Sequence, residues 1–179
     1  YNSKNRKSLI VMATGTGKTR TSVALVKLLM EASWVKKVLF LADRNALVRQ
    51  AKNAFNRFLP SCTPHIIKSN ARDPKARVYL STYNTIMNCI DETKESEKRF
   101  SVGNFDLIII DECHRSVYQK YRMIFNYFDS LLLGLTATPR DEVDRNTYEL
   151  FEIEDGVPTY AYELEQATVS YTHLRAHET

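Results

Sequence analysis

Cysteine is sparse and shows no pairing pattern: Cys62, Cys89 and Cys113 are odd in number, and no two stand in a CxxC spacing. That excludes a disulfide framework and a cysteine zinc site, and it predicts three ordinary thiols in a reducing, cytoplasmic compartment. Histidine supplies no metal set either, because His65, His173 and His177 have no ligand spacing to match His114. Long apolar runs are missing. Those present, such as Leu107–Ile110 and Leu131–Leu133, are strand-sized, which excludes a membrane-spanning helix. No signal-peptide pattern opens the chain, and Tyr1 in place of Met predicts a fragment of something longer. Internal repeats and low-complexity segments are also absent. What remains is a chain of 179 residues, 44% hydrophobic, able to bury one substantial core.

Acidic residues are nearly missing from one half. Residues 1–80 carry sixteen Lys and Arg against three Asp and Glu, whereas residues 81–179 carry nine against eighteen. The overall charge of +4 hides this asymmetry. A basic segment of that size suits a surface that tracks phosphates, unless a parallel sheet interleaves the halves and smears the charge.

Apolar runs alternate with amphipathic stretches along the chain. The pattern predicts strands at Ser8–Met12, Lys37–Ala42, Val78–Leu80, Leu107–Ile110 and Leu131–Leu135. Helices are expected over Lys18–Ala32, from an Asp43 cap to Phe58, over Tyr83–Cys89 and over Val117–Phe128. Pro60 and Pro64 bracket a turn, and the charged run Asp91–Arg99 reads as a solvated loop or helix end. Continuous Val, Ile and Leu runs between helices predict an α/β fold, a parallel sheet covered on both faces. Ligands gather at the carboxyl ends of the strands in such sheets.

Three motifs fall at those ends. Gly15-Thr16-Gly17-Lys18-Thr19 follows the first predicted strand, and its glycines let backbone N–H groups approach phosphate oxygens at a helix N-terminus. Lys18 is expected to reach the β- and γ-phosphates of ATP, and the Thr19 hydroxyl to ligate Mg2+. The general phosphate-loop pattern asks for glycine where Met12 stands, so the match is incomplete. Asp111 leaves the fourth predicted strand after four apolar residues, placed to hold Mg2+, and Glu112 beside it is placed to take a proton from an attacking water. An ion pair with Arg115 is the bland alternative for these acids, but it does not explain why they stand at a strand end opposite a phosphate loop. His114 reads either as a hydrogen-bonding coupler between this site and Thr136 and Thr138, or as a structural histidine. Pro139 ends the fifth predicted strand and is expected to fix its loop.

LIVMATGTGKT, LADRNALVRQA, LSTYNTIM, FDLIIIDECHRS and GLTATP together resemble motifs I, Ia, Ib, II and III of superfamily 2 helicases and translocases. The wording is most similar to the motor of the restriction (R) subunit of type I restriction enzymes, over about Lys7–Ala167. The resemblance implies a RecA-like P-loop lobe that hydrolyses ATP with Mg2+ to drive translocation of double-stranded DNA. It implies a second RecA-like lobe carrying arginine fingers, a nuclease domain upstream, and separate modification and specificity subunits as partners, with no membrane involved. Gly15, Gly17, Lys18 and Thr19 then match motif I, and Asp111, Glu112 and His114 match motif II. Thr136 and Thr138 resemble the motif III hydroxyls that couple nucleotide state to DNA grip. Arg44, Ser81 and Thr82 resemble positions that touch the DNA backbone, which carries no sequence information. Their alternatives are local: Ser81 or Thr82 caps the next helix, and Arg44 pairs with Asp43.

The expected organisation is a RecA-like lobe over residues 1–139, a segment over 140–168 leading towards a second lobe, and a non-native tail over 169–179. That tail, VSYTHLRAHET, has no apolar period and resembles a translated transposon-end sequencing adaptor. Other functions remain open at this point: another superfamily 2 helicase or repair translocase, a P-loop phosphotransferase for a small molecule, or a nucleotide-dependent binding module without hydrolysis. The phosphotransferase leaves the basic half and the motif Ia and Ib resemblances unexplained, and an intact Glu112 argues against the non-hydrolysing module.

Overall fold

Alternation of side chains along five apolar runs builds the molecule, because each run must bury both of its faces. The structure is a computed structural model, and it describes residues 6–13, 15–68, 75–91, 93–94, 97–113, 115–138, 143 and 145–162. In chain order the elements are β1 (Lys7–Met12), α1 (Lys18–Glu31), β2 (Val38–Ala42), α2 (Asn45–Phe58), β3 (Pro64–Ile66), β4 (Val78–Thr82) and α3 (Tyr83–Asp91). Then come β5 (Thr93–Lys94), β6 (Glu97–Lys98), β7 (Leu107–Ile110), α4 (Arg115–Tyr127), β8 (Leu131–Thr136), α5 (Arg145–Phe151) and β9 (Tyr160–Tyr162). Seven strands form one sheet in the order β3-β4-β2-β7-β8-β1-β9, and every neighbouring pair is parallel.

The two faces of the sheet carry separate cores. From β2, Leu39 and Leu41 point to one side with Ile108 and Ile110 of β7, into the cluster that holds Ile86 of α3, Ile124 of α4 and Phe151 of α5. Val38, Phe40 and Ala42 point to the other side with Leu107 and Ile109, against Val23 and Val26 of α1 and Val48, Ala51 and Phe55 of α2. Strand period two and helix period near four meet here, and each fully buried aliphatic side chain contributes about 1.5–3 kcal/mol over its exposed state. The sheet is therefore three-layered, α/β/α. At the edge away from the phosphate loop, the Asp106 carboxylate accepts from the backbone N–H groups of Lys36 and Lys37, at 2.8 Å each, and ties the start of β7 to that of β2.

Several local expectations are corrected. Asp43 does not cap α2; Arg44 occupies the cap position with extended backbone and no side-chain cap bond, and the Asp43 carboxylate lies 3.6 Å from Arg44 Nε. Pro60 and Pro64 do bracket a turn, and Pro64 in addition begins β3, an edge strand beside β4, where its missing N–H is tolerated. Part of the charged run pairs as a two-stranded antiparallel ladder, β5 with β6. Helix α4 starts at Arg115 and bends at Tyr121 (φ −118°, ψ 16°), whose ring stacks on Tyr83 at 4.9 Å.

Residues 145–162 belong to the segment expected to lead towards a second lobe, and here they pack on this sheet. Phe151 is fully buried, and β9 pairs with β1 through Tyr160–Tyr162. Gly134 in β8 makes room for Phe151: a Cβ at that position would overlap the ring and come within 2.9 Å of Leu9 Cδ1. Residues 163–179, including the whole tail, lie outside the described residues. Among the described residues no helix is long and apolar enough to cross a membrane.

Candidate functional site

Because all seven strands run the same way, the residues that follow β1, β2, β4, β7 and β8 emerge at one edge of the sheet. Gly15 and Gly17 stand between β1 and α1 with φ of 80° and 95°, the left-handed region that favours glycine. A Cβ at Gly15 would meet nothing within 4 Å, so backbone conformation rather than packing demands the glycine. Thr16 closes the loop: its hydroxyl donates to the Ala13 carbonyl at 2.6 Å, and its N–H to the same oxygen at 3.3 Å. Edge strand β9 braces the loop's base, since the Ala13 N–H donates to the Tyr162 carbonyl at 3.1 Å. Lys18 and Thr19 then form the first turn of α1, whose exposed N–H groups and dipole favour an anion.

Two strands away in the sheet, Asp111 and Glu112 follow β7. Lys18 Nζ donates to Glu112 Oε1 at 2.8 Å, with the lysine side chain 12% exposed and the glutamate 40%. Asp111 is buried at 8% exposure. Desolvation first, and the neighbouring Glu112 charge second, raise its carboxyl above the ordinary value, while Lys18 pulls the other way. Glu112 has a left-handed backbone, φ 53°, unusual for a residue with a Cβ, and this turns its side chain away from the strand direction. The turn is pinned from both sides. Tyr83 Oη donates to the Asp111 carbonyl at 2.8 Å, and the Cys113 N–H donates to the Leu135 carbonyl at 2.8 Å. Burial pushes the Cys113 thiol up to about 12, which leaves it protonated and unreactive.

Strand β8 lies between β1 and β7 and ends at Thr136, buried at 1% exposure. The Thr138 N–H donates to Thr136 Oγ1 at 3.2 Å, so both hydroxyl residues sit at the strand end between the lysine and the acids. His114 and Pro139 lie outside the described residues. The motif Ia and Ib positions separate from one another. Arg44 is 81% exposed, and its 3.6 Å contact to Asp43 is a loose surface pair that leaves the guanidinium accessible. Thr82 caps α3: its Oγ1 accepts from the Thr85 N–H at 3.3 Å and lies 2.9 Å from Thr85 Oγ1. Ser81 is 1% exposed, with its hydroxyl donating to the Thr82 carbonyl, so it has no surface to offer a phosphate.

Sequence reasoning passed over Tyr83 and Gly134. Tyr83 stands directly after the motif Ib hydroxyls, but nothing in its own type announces a bond to the Asp111 carbonyl 28 residues away. Gly134 lies inside a recognised motif, and only the ring of Phe151 explains it.

A glycine loop presenting a lysine to acids two strands away, on an all-parallel sheet, is the architecture of a RecA-like P-loop motor lobe. The family model for the type III restriction enzyme res subunit matches residues 1–141, and the chain belongs to that family. It is 39% identical over 170 residues to the type I restriction enzyme EcoAI endonuclease subunit of Escherichia coli, covering 92% of this chain and 20% of that one. A fragment structure of an HsdR subunit of a type I restriction enzyme from Vibrio vulnificus YJ016 is similar with TM-score 0.64 and 33% identity, over 92% of this chain and 27% of that one. The Type ISP restriction-modification enzyme LlaGI, solved with a DNA substrate mimic, shares the fold at TM-score 0.67 and 24% identity, over 93% of this chain and 19% of that one. The chain thus spans about a fifth of the length of the curated relative it matches. Its sequence and fold are those of the helicase-type motor lobe of restriction-enzyme subunits.

Proposed function

We propose that this lobe binds ATP with Mg2+ in the Gly15–Thr19 loop and hydrolyses it to drive movement along double-stranded DNA, as the first motor lobe of a type I restriction complex. The observation that carries the reading is the 2.8 Å contact between Lys18 and Glu112 beside buried Asp111, which unites a phosphate-binding cation and a candidate base in one pocket. The donor set suits a magnesium ion: a strand-end carboxylate, crowded by a second acid, faces a loop with a hydroxyl in its first helical turn. Asp111 and Thr19 would hold that ion, which would supply charge neutralisation on the β- and γ-phosphates.

In this reading Gly15, Thr16 and Gly17 wrap the phosphates with backbone N–H groups, and Lys18 turns from Glu112 to the transferred phosphoryl. Released from the lysine, Glu112 orients a water and accepts its proton as the water oxygen bonds to the γ-phosphorus and the ADP oxygen leaves. His114, Thr136 and Thr138 couple the nucleotide to DNA grip, and Arg44 with Thr82 meets the phosphate backbone. Ser81 acts behind them, by holding the Thr82 carbonyl. The partners are a second RecA-like lobe, a nuclease domain, and modification and specificity subunits, in a cytoplasmic complex. Residues 1–139 carry the motor motifs of the lobe, 145–162 complete its sheet before the chain leads on towards the second lobe, and 169–179 are a non-native tail.

A fluorescent ATP analogue titrated into the chain with Mg2+ tests the reading. Weak binding that disappears in Lys18→Ala is expected, with slow hydrolysis and no DNA cleavage, because the arginine fingers that speed this chemistry sit on the other lobe. Brisk DNA-stimulated hydrolysis by the 179-residue chain alone would overturn this division of labour.

A further inference from the structure

Helix α2 contains no acidic residue; its outward side carries Arg49 and Arg57 among the amides Gln50, Asn53 and Asn56, and half-buried Lys52 flanks them. Its inward side is ordinary core, with Val48, Ala51 and Phe55 buried. Among the described residues Arg49, Lys52 and Arg57 form no ion pair. Acids three or four places away would relieve cations on a helix, and here Arg49 and half-buried Lys52 are instead like charges three apart. A further cation joins from α1. Arg20 places its guanidinium 5.0 Å from the ring centre of Phe58, and Arg57 lies 5.3 Å from the same ring. Two positive groups are thus held against one aromatic ring, an arrangement that an anion lying across them would stabilise.

We infer that the outward face of α2, extended by Arg20, is a second contact for the phosphate backbone of a nucleic-acid duplex, separate from Arg44 and from the triphosphate pocket. This rests on the DNA reading above and deepens it by naming the surface. Cations interleaved with amide donors are the side-chain types that meet phosphate oxygens. The fourteen residues of α2 extend about 21 Å, enough to lie beside several phosphates of a duplex, which carries about one charge per 1.7 Å of axis. An acidic protein partner fits less well. Among the described residues the large apolar side chains that stand exposed are Leu28, Trp34, Val102, Met123, Val157 and Tyr160, and none lies on α2 to serve as an anchor.

The test is duplex binding by fluorescence anisotropy across a salt series, comparing the chain with the triple variant Arg49→Gln, Lys52→Gln, Arg57→Gln. Glutamine keeps helix propensity, and circular dichroism with the nucleotide-analogue titration checks that fold and pocket are unchanged. The expected result is at least about tenfold weaker binding at low salt and a log–log salt slope smaller by about 2 to 3. A charge-keeping variant, Arg49→Lys with Arg57→Lys, is expected to retain the slope. Equal affinity and slope for the glutamine variant would overturn this surface while leaving the DNA reading intact. Loss of binding to polyglutamate with unchanged duplex binding would overturn it in favour of a protein partner. A parent chain that binds no duplex at low salt would instead remove the DNA reading itself, and this inference with it.

Discussion

Lys18 and Glu112, 94 residues apart in sequence, hold ammonium and carboxylate 2.8 Å from one another beside the end of β8. The pair satisfies two half-sheltered charges before any nucleotide arrives, and a triphosphate must compete for the lysine. Substituting the two residues should therefore have different effects. Lys18→Ala is expected to remove analogue binding. Glu112→Gln should keep binding within a few-fold while lowering hydrolysis by about 10²–10⁴, the range for a lost general base. Equal loss of binding in both variants would show that Glu112 acts only by positioning the lysine.

Asp111 yields a pH prediction. Its carboxyl is raised above the ordinary value of 3.8 by burial and by Glu112. Between the ordinary and the raised value the native state binds more protons than the unfolded chain, so stability falls as pH rises through that window. Asp111→Asn removes the titration. Without Mg2+, the melting temperature of the variant minus that of the parent should be smallest in acid and grow as pH rises. A difference independent of pH would show that the buried carboxylate carries no such penalty.

Gly134 and Phe151 predict a steric result. Gly134→Ala puts a methyl into the Phe151 ring and against Leu9 Cδ1, at a central strand that cannot shift cheaply. A loss of about 1–3 kcal/mol by denaturant unfolding is expected. Combining it with Phe151→Leu should cost less than the sum of the single changes, because the two side chains share one space. Strict additivity would place the strain elsewhere.

Thr82 is asked to do two things. Thr82→Ala should lower stability by about 1 kcal/mol through loss of the α3 cap. Thr82→Ser should restore it. If the hydroxyl also meets a DNA phosphate, Ala should weaken duplex binding and Ser should not. Unchanged duplex binding in the alanine variant, measured where the fold is intact, would leave Thr82 as a cap alone.

Much of the sheet was legible because continuous apolar runs such as LFLA and LIII leave no exposed face, and only a covered parallel sheet accommodates them. Elements whose stability is not local were not legible. The three residues of β3 and the three of β9 carry too little pattern to mark a strand, and they exist because β4 and β1 offer open edges. Asp43 is a good cap by type, yet the chain begins α2 from Arg44. The bend at Tyr121 accompanies its stacking on Tyr83, a partner 38 places earlier in the sequence, and the need for glycine at 134 follows from a ring on α5.

The chain's own order of residues determined which groups could do chemistry: glycines able to adopt left-handed backbone, a lysine and threonine opening a helix, and acids released at the end of an apolar strand. Tertiary structure alone decided that these groups meet. Sheet order sets β8 between β1 and β7, an arrangement written in no single segment, and that spacing brings Lys18 to Glu112; the burial of Ser81 and the exposure of Arg44 are likewise settled only in the fold. Local sequence governs backbone conformation and side-chain type, whereas distance between remote groups depends on how strands pair, and pairing is settled by burial of the whole core.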